Sequence, residues 1–426
     1  MVEQIYSLFL ESTGICTDTR KIAEGNLFLA LKGPNFDANR LAGKALEAGA
    51  LAAIIDDKQF EVAGKTIIVD NCLTTLQELA KHHRRQLDIP FIGLTGSNGK
   101  TTTKELIYAA LTGSYRAFAT EGNLNNHIGV PLSVLSVSMD HQIAIIEMGA
   151  NHVGEIAQLC SIARPSHGLI TNIGKAHIGL FGGFDKIIQG KSELYHYLIQ
   201  NQGVIFVNQH QDILLNMSKR MDNPVFYPDK GSFCPARMLE ADPFVKIELA
   251  SGRELTSQLA GAFNFDNMAT ALCVAKYFDV PETKAAEAVA HYLPSNNRSQ
   301  IVQKGSNTIL LDAYNANPSS MEKAVETLSK SGSKNKVAIV GDMFELGEDT
   351  KKEHENVGRQ LKNLGIERVY FCGQHMKHAF DVHGGGYHAE DTAALKALLS
   401  DHMFSDATIL IKASRGMALE QVLDSL

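Results

Sequence analysis

Short apolar runs alternate with longer amphipathic stretches along all 426 residues. Near the start, residues 26–31, 52–55 and 66–69 are apolar and short enough for buried strands. The Ala-rich stretch 41–50 reads as a helix between the first two. A polar helix with Lys81, His82, His83, Arg84 and Arg85 follows. Pro90 then marks a junction, because the residue before a proline is pushed out of helical backbone.

A second series of strand candidates covers residues 91–95, 143–148, 168–173 and 203–207. It ends in a long Ala-rich helix candidate at 262–278. A third series begins near Asn296, with runs at 308–311, 337–340, 369–372 and 408–411 and helices such as 351–364 between them. Strand–helix alternation predicts parallel sheets with right-handed crossovers. The expected fold is α/β in three domains. Residues 1–85 form a small α/β unit, 86–296 a central parallel-sheet domain, and 297–426 a doubly wound domain of Rossmann type.

Composition narrows the class. The chain is 44% hydrophobic and 20% charged, as in ordinary globular proteins. A net charge of −7 argues against nucleic acid as a partner. The six cysteines are scattered, with no CxxC pair, and read as reduced thiols of a cytosolic protein. The chain opens with no secretory signal pattern, and no apolar run approaches the roughly 20 residues a membrane helix needs. The expectation is a cytoplasmic protein with no membrane insertion.

The strongest local signal is GLTGSNGKTTT at residues 93–103. A strand runs into a Gly-rich turn and then a helix. Such a turn aims backbone N–H groups at one point, and the helix N-terminus adds partial positive charge there. Gly96 and Gly99 allow close approach to phosphate oxygens. Lys100 would reach the outer phosphates, and Thr101 would offer its hydroxyl to Mg²⁺. The general GxxxxGK[ST] pattern wants glycine at 94, where this chain has Leu94.

Three residues downstream add candidate chemistry. Glu147 ends an apolar run, where α/β sheets bind ligands, and could hold Mg²⁺. It reads equally as a solvated acid at a strand end. His177 follows another strand; a lone loop histidine is more often structural. Lys191, in GKSELY, sits in an early helical turn and reads by itself as a surface lysine.

Together these segments resemble the Mur ligases, ATP-dependent amino-acid-adding enzymes of peptidoglycan synthesis. That family uses the shorter loop TG[ST]NGKT[ST], which residues 95–102 match. It also has a metal-binding Glu, a metal-binding His and a carbamoylated Lys, in the order of Glu147, His177 and Lys191. Four further segments resemble the branch that adds D-alanyl-D-alanine to UDP-N-acetylmuramoyl-tripeptide: TDTR at 17–20 with 27–33, EGNLNNHIGVP at 121–131, DAYNANP at 312–318 and VGDMFELG at 340–347. Motifs typical of the enzyme that adds the third residue, DYAHTP and a DNPR-like segment, are missing. Ala313, Phe263 and Ala413 depart from the family's usual Ser, His and Gly.

The resemblance implies an amide ligation through an acyl phosphate. ATP would bind to Gly96, Ser97, Asn98, Gly99, Lys100, Thr101 and Thr102, with Asn264 and Asn267 near adenine and Arg298 on a phosphate. Two Mg²⁺ ions would be held by Thr101, Glu147, His177 and a carbamoylated Lys191, which with Lys100 form the catalytic set. Thr19, Arg20 and Lys32 would bind the UDP-sugar, and Asn125 and Asn126 the substrate loop's ligand. Asp312, Asn315 and Asn317 would approach the amine substrate. A monomer is expected. Another Mur-type or folylpolyglutamate-type ligase, or a P-loop ATPase or kinase, stays open on the sequence.

Overall fold

The computed structural model describes residues 1–294 and 297–426. The junction expected at 296/297 touches Asn296, which lies outside the described residues.

The N-terminal unit holds a four-stranded parallel sheet, in the order Ile15–Cys16, Leu27–Leu29, Ala52–Ile55 and Thr66–Ile68. Its two middle strands are fully buried, as their unbroken apolar runs require. Asn39 and Asp56 tie the connections together. The Asn39 amide donates to Asp56 at 2.9 Å, and the Asp56 backbone N–H donates to the Asn39 carbonyl at 2.9 Å. The polar helix spans Cys72–Gln86, capped by Asn71. Its apolar face presses onto the next unit. His83 bonds to the Val137 carbonyl at 2.7 Å, and Arg84 donates to the Ala163 carbonyl at 2.8 Å.

The central unit is built on a six-stranded, all-parallel sheet. Its order is Val225–Tyr227, Val204–Asn208, His167–Ile170, Phe91–Thr95, Ile143–Glu147, Ala117–Ala119. Phe91–Thr95 lies between the strands that come third and fourth in the chain. The connections therefore leave it in opposite directions, and its carboxyl end opens a crevice.

A three-stranded antiparallel sheet follows, Ala236–Ala241, Phe244–Leu249 and Glu254–Ala260. It has no counterpart among the expected elements. Its apolar residues alternate (Val245, Ile247 and Leu249 buried, their neighbours not), so no continuous run announces it.

The C-terminal unit has six strands: Gln300–Lys304, Asn307–Leu311, Ala407–Lys412, Asn335–Gly341, Arg368–Cys372 and Tyr387–Ala389. Five are parallel, and the first adds antiparallel as an edge hairpin, an addition to the expected doubly wound sheet. Helix Thr350–Asn363 packs on helix Met376–His383 through Gly358, where a Cβ would stand 2.2 Å from the Ala379 carbonyl oxygen.

Gly358→Ala tests that contact. Overpacking costs about 1–3 kcal/mol, against roughly 1 kcal/mol gained in helix propensity. Net destabilisation is expected, read as a lower urea midpoint for this unit. An unchanged or raised midpoint would contradict the packing described.

Candidate active site

The strand Phe91–Thr95 is buried along its whole length and delivers the loop 96–99 at the crevice. Gly96 has φ +148°, and a Cβ there would lie 2.0 Å from the Thr171 hydroxyl. Gly99 has φ +76°, and its Cβ would lie 2.6 Å from the Asn267 side-chain oxygen. Both positions demand glycine. The second loop, 171–174, staples the first. Ser97 N–H donates to the Asn172 carbonyl at 3.0 Å, Asn98 N–H to the Asn172 side chain at 3.1 Å, and the Ser97 hydroxyl to the Gly174 carbonyl at 2.9 Å.

Helix Lys100–Thr112 starts directly after Gly99, so its first N–H groups have no partner within the helix. Such an end attracts anions. Lys100 folds back over the loop and donates to the Gly96 carbonyl at 2.8 Å. Burial pulls its ammonium pKa down, and the Glu147 charge opposes this.

Glu147 is 1% exposed. One carboxylate oxygen accepts from the Asn125 amide at 2.8 Å and from the Thr101 hydroxyl at 3.4 Å. The other, Oε2, is buried with no hydrogen-bond partner. An orphan carboxylate oxygen is costly unless a ligand completes it. Beside a hydroxyl and a phosphate-binding turn, this oxygen set suits Mg²⁺. Among the described residues no cluster of three or more His, Cys, Asp or Glu could hold a metal by itself. A cation here would depend on phosphate oxygens and water for its remaining ligands.

His177 stands at φ +55°, ahead of the short helix Ile178–Phe181, and its Nδ1 bonds to Glu345 of the C-terminal unit. Lys191 corrects two expectations. It lies mid-way along helix Phe184–Gln200, not in an early turn, and it is 1% exposed, not a surface lysine. Its Nζ approaches the Ala150 carbonyl at 3.4 Å and lies 5.3 Å from the Phe181 ring centroid. Burial drives its pKa well below the ordinary 10.5, the Lys100 charge adds to this, and Glu155 and Glu193 oppose it.

The C-terminal unit closes the cavity. Asn317 caps helix Pro318–Lys330, and its amide donates to the Asn98 side chain at 2.8 Å. Lys175 N–H donates to Ser319 at 2.9 Å, and the Lys175 ammonium pairs with Glu353 at 2.7 Å. Asp312 pairs with buried Lys412 and accepts from Ser299 N–H at 3.2 Å. Arg298 stacks on Tyr314, 3.6 Å from its ring centroid.

One cavity of about 500 Å³ joins these groups. Its walls include Ser97, Asn98, Gly99, Lys100, Thr101, Thr102, Asn125, Asn126, Glu147 and His177 from the central unit. Asn264, Asn267, Arg298, Asp312, Asn315 and Asn317 complete it. Lys191 stands behind Ala150, which lines the wall. Gly96 shapes the loop from beneath, and Thr19, Arg20 and Lys32 do not line this cavity. Arg20 instead forks onto Asp18, whose carboxyl it holds down to about 2, and Lys32 pairs with Asp56 at 3.0 Å.

Asn264 and Asn267, expected near adenine, bond largely inside the fold. Asn264 donates to the Ala260 carbonyl at 2.7 Å and accepts from Asn267 at 2.8 Å, and Asn267 accepts from the Thr103 hydroxyl at 3.0 Å. They lock helix Asn264–Tyr277 to the phosphate-loop helix. Asn172, Tyr314, Lys323 and Lys412 also line the cavity and were not singled out from sequence. Tyr314 lies inside the quoted DAYNANP segment, Lys412 precedes the departure noted at Ala413, and Asn172 falls in the run 168–173 read as a strand, which ends at Ile170. Lys323 had no motif to mark it, and it has no ion-pair partner among the described residues.

A phosphate-binding turn, a buried acid beside it and a third unit closing over both define an ATP-dependent ligase architecture, and the chain belongs to the Mur ligase family. The Mur ligase middle domain matches residues 94–275, and the Mur ligase glutamate ligase domain matches residues 297–415. The Bacillus subtilis UDP-N-acetylmuramoyl-tripeptide--D-alanyl-D-alanine ligase is 33% identical over 97% of this chain and 93% of its own. Among solved structures, MurF from Acinetobacter baumannii superposes with a TM-score of 0.89 at 29% identity, covering 100% of this chain and 98% of that one. MurF ligase from Thermotoga maritima in complex with ADP gives 0.85 at 27%, covering 98% and 97%.

The buried lysine gives a pH signature. Its folded pKa lies below 10.5, so above the folded value the unfolded chain binds more protons than the folded one. Stability should therefore rise with pH from the folded pKa up to 10.5, and fall as pH drops through that window. In CO₂-free, metal-free buffer, Lys191→Met should flatten this rise when urea unfolding is followed at several pH values. Parallel curves for both proteins would contradict an uncharged buried amine.

Proposed function

We propose that this chain is an ATP-dependent ligase joining a UDP-N-acetylmuramoyl-tripeptide carboxylate to the amine of D-alanyl-D-alanine, with release of ADP and phosphate. The observation that carries the reading is the convergence of the phosphate turn, Glu147 and the Asp312–Asn317 segment on one cavity. The relatives' names supply the two substrates.

The chemistry follows from the reactants. A carboxylate repels nucleophiles and has no good leaving group. Its oxygen attacks the γ-phosphorus of ATP, the bond to the bridging oxygen breaks, and ADP departs. The uncharged amine of D-alanyl-D-alanine then attacks the acyl carbon. The carbon–oxygen bond to phosphate breaks, phosphate leaves with the electron pair, and the nitrogen loses a proton.

The first step brings anions together. The amides of residues 96–102 and the Lys100 ammonium offset that repulsion. Mg²⁺ bound at Thr101 and Glu147, and a second at His177, would neutralise phosphate charge. The orphan oxygen of Glu147 supports the first position. Lys191 serves the second as a carbamate, formed when its uncharged amine adds CO₂ and loses a proton. The burial that disfavours its ammonium form supports this.

Arg298, held flat by Tyr314, faces the same cavity and meets ATP phosphate. Asn264 and Asn267 set the adenine end by holding their helix in place. Asp312, Asn315 and Asn317 receive the amine substrate, and Asn125 and Asn126 the tripeptide. Thr19, Arg20 and Lys32 bind the UDP-sugar on the N-terminal unit. Docking of the C-terminal unit excludes water that would hydrolyse the acyl phosphate. The enzyme works as a monomer in the cytoplasm, where ATP and UDP-linked precursors are found. No helix among the described residues is long and apolar enough to cross a membrane.

The test is phosphate release from ATP and Mg²⁺ with UDP-N-acetylmuramoyl-tripeptide, with and without D-alanyl-D-alanine. Release that needs both, with the pentapeptide product seen by mass, is expected. Release indifferent to D-alanyl-D-alanine would favour an ATPase or another acceptor. Lys100→Ala should lose about 10³-fold in rate, as loss of a preorganised electrostatic group does. Lys191→Ala should fall nearly as far and recover partly with short carboxylic acids; normal turnover would overturn the carbamate.

A further inference from the structure

His177 and Glu345 lie 168 positions apart in the chain, yet His177 Nδ1 bonds to the Glu345 carboxylate across the junction of the central and C-terminal units. Neither residue is glycine, but both sit in left-handed backbone, at φ +55° and +64°. Strained backbone on both sides of one contact marks a place the surroundings over-determine.

The backbone around the pair is interlocked. Gly179 N–H donates to the Glu345 carbonyl at 3.1 Å. A Cβ on Gly179 would lie 2.6 Å from Gly347 N and 2.9 Å from the Glu345 carbonyl oxygen. The loop carrying Glu345 is pinned from behind as well. Met343 N–H donates to His354 Nε2 at 3.0 Å, and Phe344 N–H donates to the Ser414 hydroxyl at 2.9 Å. The backbone that carries Glu345 is thus fixed from both sides, while its side chain is exposed and reaches His177 from there.

The bond has a chemical consequence. An ionised carboxylate only accepts, so in the neutral ring Nδ1 carries the proton and Nε2 keeps its lone pair. His177 lines the main cavity, and its Nε2 has no hydrogen-bond partner among the described residues. A histidine that gives its other N–H to a carboxylate is a better-oriented and more basic metal ligand.

We propose that Glu345 is a positioning residue. Delivered by docking of the C-terminal unit, it sets His177 in the tautomer that can ligate a divalent cation, so the cation site is complete only when the units are closed. The proposal uses the ligase reading only for what the cation does.

The test uses the full chain with ¹⁵N-labelled histidine, the His177 signals being assigned from a His177→Gln sample. Above the ordinary histidine titration range, near pH 6.5, wild type should show Nδ1 protonated and Nε2 unprotonated. Glu345→Ala should lose that preference, and Glu345→Gln, whose amide oxygen still accepts, should keep it. Mn²⁺ titrated in bicarbonate buffer with a non-hydrolysable ATP analogue, followed by electron paramagnetic resonance, should bind about tenfold or more weakly to Glu345→Ala. Glu345→Gln should stay close to wild type.

Gly179→Ala keeps both side chains and blocks the close approach, so it should lose the tautomer preference as Glu345→Ala does. Glu345→Ala with an unchanged tautomer or unchanged Mn²⁺ affinity would overturn the proposal, as would Gly179→Ala with a wild-type tautomer. None of these readouts needs D-alanyl-D-alanine, so a failure of the ligase reading would be seen separately.

Discussion

The rest of the site depends on how closely backbone approaches backbone at the phosphate loop. Gly96 sits against Thr171 and Gly99 against Asn267, with no room for a side chain at either. One contact ties the loop to the strand-end turn 171–174. The other ties it to helix Asn264–Tyr277. Because the turn is bonded to the loop and Asn267 accepts from Thr103 in the helix that follows it, the N–H groups that face phosphate are held before any ligand arrives. Preorganised donors of this kind need no rearrangement when charge develops.

Around that rigid turn, buried charge is arranged in unequal states. Glu147 keeps one oxygen without a partner, which favours a cation beside it. Lys191 is pushed toward its uncharged form, while Lys412 is paired with Asp312. Two lysines in one neighbourhood thus differ, set apart by surroundings and not by residue type. The C-terminal unit adds the last pieces through Asn317 on Asn98, Glu353 on Lys175 and Glu345 on His177. The walls of the site thus come from two units packed together.

Much of this was legible in the sequence. Strands such as Phe91–Thr95 and Ile143–Glu147 are unbroken apolar runs because both faces of a parallel sheet are buried. The phosphate turn announces itself by glycine, lysine and threonine at set spacing. The antiparallel sheet at 236–260 was hidden because alternation dilutes its hydrophobic signal. Lys191 looked like a surface residue because burial of a lysine depends on what folds over it, here Ala150 and Phe181. Asn264 and Asn267 line the cavity as expected of ligand contacts, but that Asn267 also ties its helix to Thr103 and Asn264 to the Ala260 carbonyl is something only partner geometry reveals. Glu345 lay within a quoted motif, but its partner is 168 residues away and no local pattern links them.

The central claim is that phosphate passes through the substrate carboxylate. The direct measurement is oxygen transfer: the tripeptide carboxylate labelled with ¹⁸O, turned over with ATP and D-alanyl-D-alanine, and the released phosphate analysed by mass. An acyl phosphate requires one labelled oxygen in each phosphate released. Phosphate free of label, with amide product formed, would contradict the account.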